Sequence, residues 1–224
     1  AIVQSMKGRF EQAAMAIFIA MLLDGLDGRV ARLTNTQSAF GAEYDSLSDM
    51  VSFGVAPALV LYVWALQPMG KLGWIAAFIY CACAALRLAR FNTKLDESDQ
   101  RYFQGLPSPA AAALLAGLVW VFFDNGVSGT AIYFGWLQVK WLAWGITLFA
   151  GLSMVSDLRY YSGKDINLRH SVPFMVILLI VLAFVLISYS PPEVMFIVVL
   201  SYGLSGYVMW ASNKLGNRQS KIEE

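Results

Sequence analysis

Four aspartates, Asp24, Asp27, Asp45 and Asp49, are spaced so that their carboxylates can act together. Asp24 and Asp27 are three apart and Asp45 and Asp49 four apart, so each pair shares one face of a helix. The segments around them are apolar, and a carboxylate inside a bilayer helix costs roughly 2.5–3.5 kcal/mol. A compensating cation is therefore expected. The single histidine, His170, is distant in sequence. Cys81 and Cys83, the only cysteines, are two apart and point to different sides of a helix, which suits neither a disulfide nor zinc. The remaining ligands are hard oxygens, which select Mg²⁺, Mn²⁺ or Ca²⁺. Two ions shared among four carboxylates is an arrangement that phosphoryl transfer uses repeatedly. Gly28 and Ala31 follow Asp24 on the same stripe, and Gly41 stands one turn before Asp45. Such small residues usually serve helix packing; beside the aspartates they leave room for a flat group. Glu43 falls off the stripe of Gly41, Asp45 and Asp49 and reads as a non-ligand, solvated or paired with a nearby arginine.

The elements that must position these residues follow from composition. Hydrophobic residues make up 58% of the 224, charged residues 14%, and the mean hydropathy is +0.58. An ordinary soluble domain carries about 25% charge, so this chain lacks the polar residues to cover a water-facing surface. A net charge of +1 without a basic tract gives no footing for nucleic acid. A membrane span needs about 20 mostly apolar residues, and that ruler predicts spans near 11–35, 40–66, 72–91, 107–123, 132–156, 171–189 and 192–212. The expected architecture is a single all-α domain over 1–224, a polytopic transmembrane bundle. Gln67-Pro68-Met69-Gly70, Asp124-Asn125-Gly126 and Ser190-Pro191-Pro192 supply breaks between spans. The polar stretches 92–104 and 157–170 read as loops. A short connection over 33–40 makes the first two helices antiparallel neighbours, with both aspartate pairs at one depth.

Positive charge sets the orientation. Arg29, Arg32, Arg87, Arg90, Lys94, Arg101, Arg159, Lys164, Arg169, Lys214, Arg218 and Lys221 fall on one side, and Lys7, Arg9 and Lys71 on the other, with Lys140 ambiguous. The expectation is that the aspartates and the polar cavity they line face the cytoplasm.

The pattern Asp24-x-x-Asp27-Gly28-x-x-Ala31-Arg32, eight residues, then Gly41-x-x-x-Asp45-x-x-x-Asp49, resembles the signature of the CDP-alcohol phosphatidyltransferase family. The segments Ser52 to Ala58, Arg87 to Asn92 and Phe103 to Pro109 resemble its serine-accepting branch. The resemblance implies a helical membrane enzyme, usually homodimeric, in a bacterial inner membrane. Its substrates would be CDP-diacylglycerol and L-serine, and its products phosphatidylserine and CMP. It implies two divalent ions, Mg²⁺ or Mn²⁺, on Asp24, Asp27 and Asp45, with Asp49 touching the metal site and acting as general base. By motif position Gly28, Arg32 and Ser38 carry over to the CDP-diacylglycerol site, which the small residues Ala31 and Gly41 would also line. The family has a helix before the motif helix. Because this chain opens at Ala1-Ile2-Val3 without an initiator Met, only the tail of that helix is expected here.

The carboxylate of serine calls for a cation, and Arg87, Arg90, Arg159 and Lys164 lie on the right side, Arg90 being the most attractive. With no Ser–His pair available, direct displacement without a covalent enzyme intermediate is expected. Two rivals stand beside this reading. One is the same chemistry with glycerol phosphate or inositol phosphate as acceptor. The other is a cation channel or transporter, which would spread acids over several depths and helices rather than two.

Overall fold

A chain this apolar must satisfy its backbone hydrogen bonds internally, and helices do so throughout. The computed structural model describes residues 1–34, 38–93, 102–127, 129, 133–134, 137–161 and 174–220. Arg101, Lys164, Arg169 and His170, and the side chains of Ala31 and Arg32, lie outside what is described.

A short α1 (Ile2–Met6) leads into α2 (Phe10–Leu33). After the connection, α3 (Ala39–Asp49) begins a rod that continues to Met69. The rod changes winding as it goes. Met50–Val55 is π-helical, α4 (Ala56–Leu61) is regular, Tyr62–Leu66 is π-helical again and Gln67–Met69 is a 3₁₀ turn. Gly70, at φ 58°, ends it, and α5 (Lys71–Thr93) runs back. Then come β1 (Tyr102–Gln104), α6 (Ser108–Asp124), the pair β2 (Tyr133–Phe134) and β3 (Leu137–Gln138), and α7 (Val139–Val155). The chain closes with β4 (Arg159–Tyr161), α8 (Phe174–Tyr189) and α9 (Pro191–Ser220).

The core sits around α6, whose residues from Ala111 to Val119 are buried. It packs against α2 and α9, and α7 joins it from the side of α5. Among the described residues three helices are long and apolar enough to cross a bilayer: Ala39–Met69, Lys71–Thr93 and Pro191–Ser212. Ser108–Asp124 and Val139–Val155 are apolar but shorter. The protein is an all-α integral membrane protein.

Two pins set α5 and α7 side by side in the same direction. At one end the Trp144 indole N–H donates to the Leu72 carbonyl at 3.2 Å, and at the other the Arg90 guanidinium donates to the Val155 carbonyl at 3.3 Å. Lys140, ambiguous by sequence, therefore lies at the same end as Lys71.

The structure departs from the sequence reading at the loops. Residues from the two polar stretches pair as an antiparallel ribbon, with Phe103 opposite Tyr160. The helix expected from 132 starts only at Val139, after the β2–β3 pair. Neither pairing has a periodic signal, because each strand is two or three residues long. Close approach at glycine fixes the β1–β4 ribbon to the bundle. Gly105 has φ 76° and a Cβ there would sit 2.2 Å from the Met154 carbonyl oxygen. Behind β4, the fully buried Tyr160 ring fills a notch at Gly206 of α9, where a Cβ would lie 2.5 Å from the ring. Desolvation pushes the Tyr160 phenol up to about 12, so it stays protonated and donates to the Gly203 carbonyl at 3.1 Å.

Pro57 stands inside the rod, one residue into α4. It has no N–H to return to the carbonyl four residues earlier, that of Phe53. The buried Tyr80 hydroxyl of α5 donates to that carbonyl at 2.9 Å. The proline thus exposes an acceptor inside the bundle, and α5 brings the donor. Tyr80→Phe, which keeps the ring and removes the donor, is expected to lower stability by about 1 kcal/mol. A fall in the thermal midpoint of the detergent-solubilised protein is the check.

Candidate acidic cluster at the mouth of the motif helices

The connection between α2 and α3 is held at both ends. The Thr34 N–H and hydroxyl both donate to the Val30 carbonyl, at 2.9 and 2.8 Å, closing α2. Ser38, extended at φ −135° and ψ 154°, caps α3, its Oγ accepting from the Gly41 N–H at 3.0 Å. Such a cap contributes about 1 kcal/mol. A Cβ on Gly41 would meet Ser38 Oγ at 3.1 Å, so the small residue has a local reason as well as the expected one.

From this frame Asp24 of α2 and Asp45 and Asp49 of α3 converge. One carboxylate oxygen from each lies within 4.8 Å of the other two. Asp24 and Asp49 are half-buried and within hydrogen-bonding reach of each other, and Asp45 is exposed. Asp27 does not join this group. It stands exposed toward the C-terminal end of α2, near enough for its charge to act on Asp45. Gly28 is half-buried one turn after Asp24, and Glu43 faces solvent as expected.

Like charges at 4.8 Å repel by roughly 3 kcal/mol per pair at an effective dielectric near 20, less where Asp45 meets water. A divalent cation relieves that repulsion. Oxygens on opposite sides of one Mg²⁺, Mn²⁺ or Ca²⁺ ion stand about 4–5 Å apart, so the spacing of the three carboxylates suits such an ion. The donor set is all oxygen, as the sequence predicts.

The four basic candidates fare differently. Arg90 bonds Gln104 Oε1 at 3.1 Å as well as the Val155 carbonyl, and forms an ion pair with Asp157. It ties the end of α5 to β1 and to the segment before β4. Arg159 is exposed on β4, and Lys164 is outside the described residues. Arg87 is the one whose charge acts on Asp49.

Asn92 was quoted in the sequence only as part of a resembling segment, yet it reaches the cluster. Its side-chain N–H donates to Ser46 Oγ at 3.0 Å, and Ser46 in turn donates to the Ala42 carbonyl at 3.1 Å. Since α3 has no buried residue, this tether to α5 fixes a helix that little else holds. A polar amide in the last turn of a membrane helix was the available signal.

Comparison with known proteins follows the same lines. Residues 1–149 match the family model described as CDP-alcohol phosphatidyltransferase. Over 202 residues the chain is 36% identical to the CDP-diacylglycerol–serine O-phosphatidyltransferase of Helicobacter pylori strain J99, covering 90% of this chain and 81% of that one. It is 43% identical over 150 residues to the enzyme of the same name from Mycobacterium tuberculosis strain H37Rv, covering 64% and 51% of the two chains. A third relative of that name, from Methanocaldococcus jannaschii, is 41% identical over 147 residues, covering 64% and 61%.

Loss of the α3 tether has a measurable consequence. Asn92→Ala is expected to weaken divalent-cation binding at the cluster about tenfold, read by titrating the purified protein with Mn²⁺.

Proposed function

This chain belongs to the CDP-alcohol phosphatidyltransferase family, and from that premise we propose that it transfers the phosphatidyl group of CDP-diacylglycerol to L-serine, releasing CMP. The observation that carries the reading is the convergence of Asp24, Asp45 and Asp49 within the motif, together with relatives that bear the name of this reaction across most of the chain.

Asp24, Asp45 and Asp49, with Asp27 beside them, are the residues that would hold two divalent ions, Mg²⁺ or Mn²⁺. Such ions, when bound, neutralise a pyrophosphate and stabilise a departing phosphate oxyanion. The chain's own groups do the rest. Gly28 and Ala31 on α2, with Gly41 on α3, leave space for the nucleotide. Arg32 binds phosphate, and Ser38, besides capping α3, lies at the edge of the donor site. Asp49 accepts the proton of the serine hydroxyl as its oxygen bonds to the phosphorus attached to diacylglycerol. The bond from that phosphorus to the CMP oxygen breaks in the same displacement. No residue of the chain is phosphatidylated on the way, so the configuration at phosphorus inverts.

The enzyme works as a homodimer in a bacterial inner membrane, with the cluster facing the cytoplasm. Charge supports that orientation: Arg29, Arg87, Arg90 and Arg159 share the end of the bundle that holds the aspartates, and Lys71 and Lys140 lie at the other.

Reconstituted protein given radiolabelled L-serine is expected to form labelled lipid only with both CDP-diacylglycerol and Mn²⁺ or Mg²⁺ present. Asp49→Asn is expected to keep the thermal midpoint and lose at least about 100-fold in turnover. Near-normal turnover in that variant would remove Asp49 from the role of base.

A further inference from the structure

The mechanism above uses one end of the acceptor, its hydroxyl, and leaves the other without a partner. Only two carbon atoms separate that hydroxyl from the serine carboxylate. Whatever recognises the carboxylate must therefore stand beside Asp49, and it must be cationic.

Arg87 meets both conditions. It lies on α5 two turns after Tyr80, and its charge acts on Asp49. Its Nη1 donates to Ser108 Oγ at 2.7 Å, which fixes the guanidinium against the start of α6. Its Nε is enclosed and has no hydrogen-bond partner in the protein. An enclosed guanidinium N–H left unpaired is costly, and a ligand oxygen accepting from it would remove that cost. Nε and Nη2 form the side-on edge of the guanidinium, whose two parallel N–H bonds match the two oxygens of a carboxylate. Nη1 is the nitrogen outside that edge, so the contact with Ser108 leaves the edge intact. Arg90, by contrast, is engaged by Asp157, Gln104 and the Val155 carbonyl.

We propose that the side-on edge of Arg87, held by Ser108, binds the carboxylate of the amino-acid acceptor and makes this residue the specificity determinant of the reaction. The proposal rests on the serine-transfer reading above. Arg87 places the hydroxyl of a short acceptor at Asp49 by holding its far end. An acceptor without a carboxylate lacks that anchor.

The test compares L-serine with serinol, in which a neutral hydroxymethyl group replaces the carboxylate, as acceptors for the full chain in proteoliposomes containing CDP-diacylglycerol. In the unaltered protein kcat/KM favours serine. Arg87→Gln is expected to reduce that preference at least about 30-fold, the loss in kcat/KM for serine exceeding the loss for serinol by that factor and appearing in serine KM. Arg87→Lys keeps the charge but loses the paired N–H geometry, and is expected to raise serine KM less than Arg87→Gln does. Ser108→Ala, which releases the guanidinium without removing it, is expected to raise serine KM with kcat preserved. An equal loss for both acceptors in Arg87→Lys and Ser108→Ala would overturn the proposal and leave a structural role for Arg87. So would a serine preference that survives in Arg87→Gln. If the unaltered protein makes no phosphatidylserine but phosphatidylates another alcohol, the serine-transfer reading itself falls and the proposal falls with it.

Discussion

Mutual repulsion among carboxylates is the constraint around which this molecule is arranged. Three acids brought within 4.8 Å at the mouth of a membrane bundle would push their helices apart unless those helices were held. The hold comes from several weak contacts rather than from one strong one. Ser38 caps α3, Thr34 closes α2, and Asn92 tethers Ser46 from the neighbouring helix. None of these is worth more than about 1–2 kcal/mol, yet together they fix where the acids point. Because α3 has no buried residue, its position owes little to hydrophobic packing, which in this bundle is concentrated around α6.

The end of the molecule that bears the acids is also where the polar contacts gather. Arg90 joins α5 to β1 and to the segment before β4, and Tyr160 locks β4 into the glycine notch of α9. Among the described residues the opposite end carries fewer such ties, Trp144 to Leu72 among them. A polar end on an apolar helical bundle suits a site that must hold a charged headgroup while acyl chains stay in hydrocarbon.

Much of this was legible from residue spacing. The intervals of three and four residues between aspartates, and the break at Pro68-Met69-Gly70, follow from helix period and turn chemistry, which are local. Asp27 was grouped with the others because three residues is nearly one turn. In the structure it lies beside the group of oxygens within 4.8 Å that the other three form. What escaped the sequence was long-range. The β1–β4 ribbon pairs residues more than fifty positions apart through strands too short to show alternation. Arg90 looked the most attractive partner for the serine carboxylate by position, and Asp157, Gln104 and the Val155 carbonyl engage it. Tyr80 and Ser108 carried no signal of their own, since a tyrosine and a serine on apolar helices read as packing. Pro57 was quoted only within a resembling segment, although a proline inside a span marks a carbonyl in need of a donor without saying which helix brings it.

The winding of the rod has a consequence for how this protein can vary. Met50–Val55 is wound with one more residue per hydrogen-bonded ring than a regular helix, and it stands directly between Asp49 and the regular turn that begins at Ala56. Each residue of a regular helix turns the chain by about 100°. A lineage that dropped a single codon here would return the stretch to regular winding and keep both acids of α3 facing Asp24. An added residue would find no such slack and would turn them away by about 100°, so this interval tolerates the loss of one letter better than the gain of one.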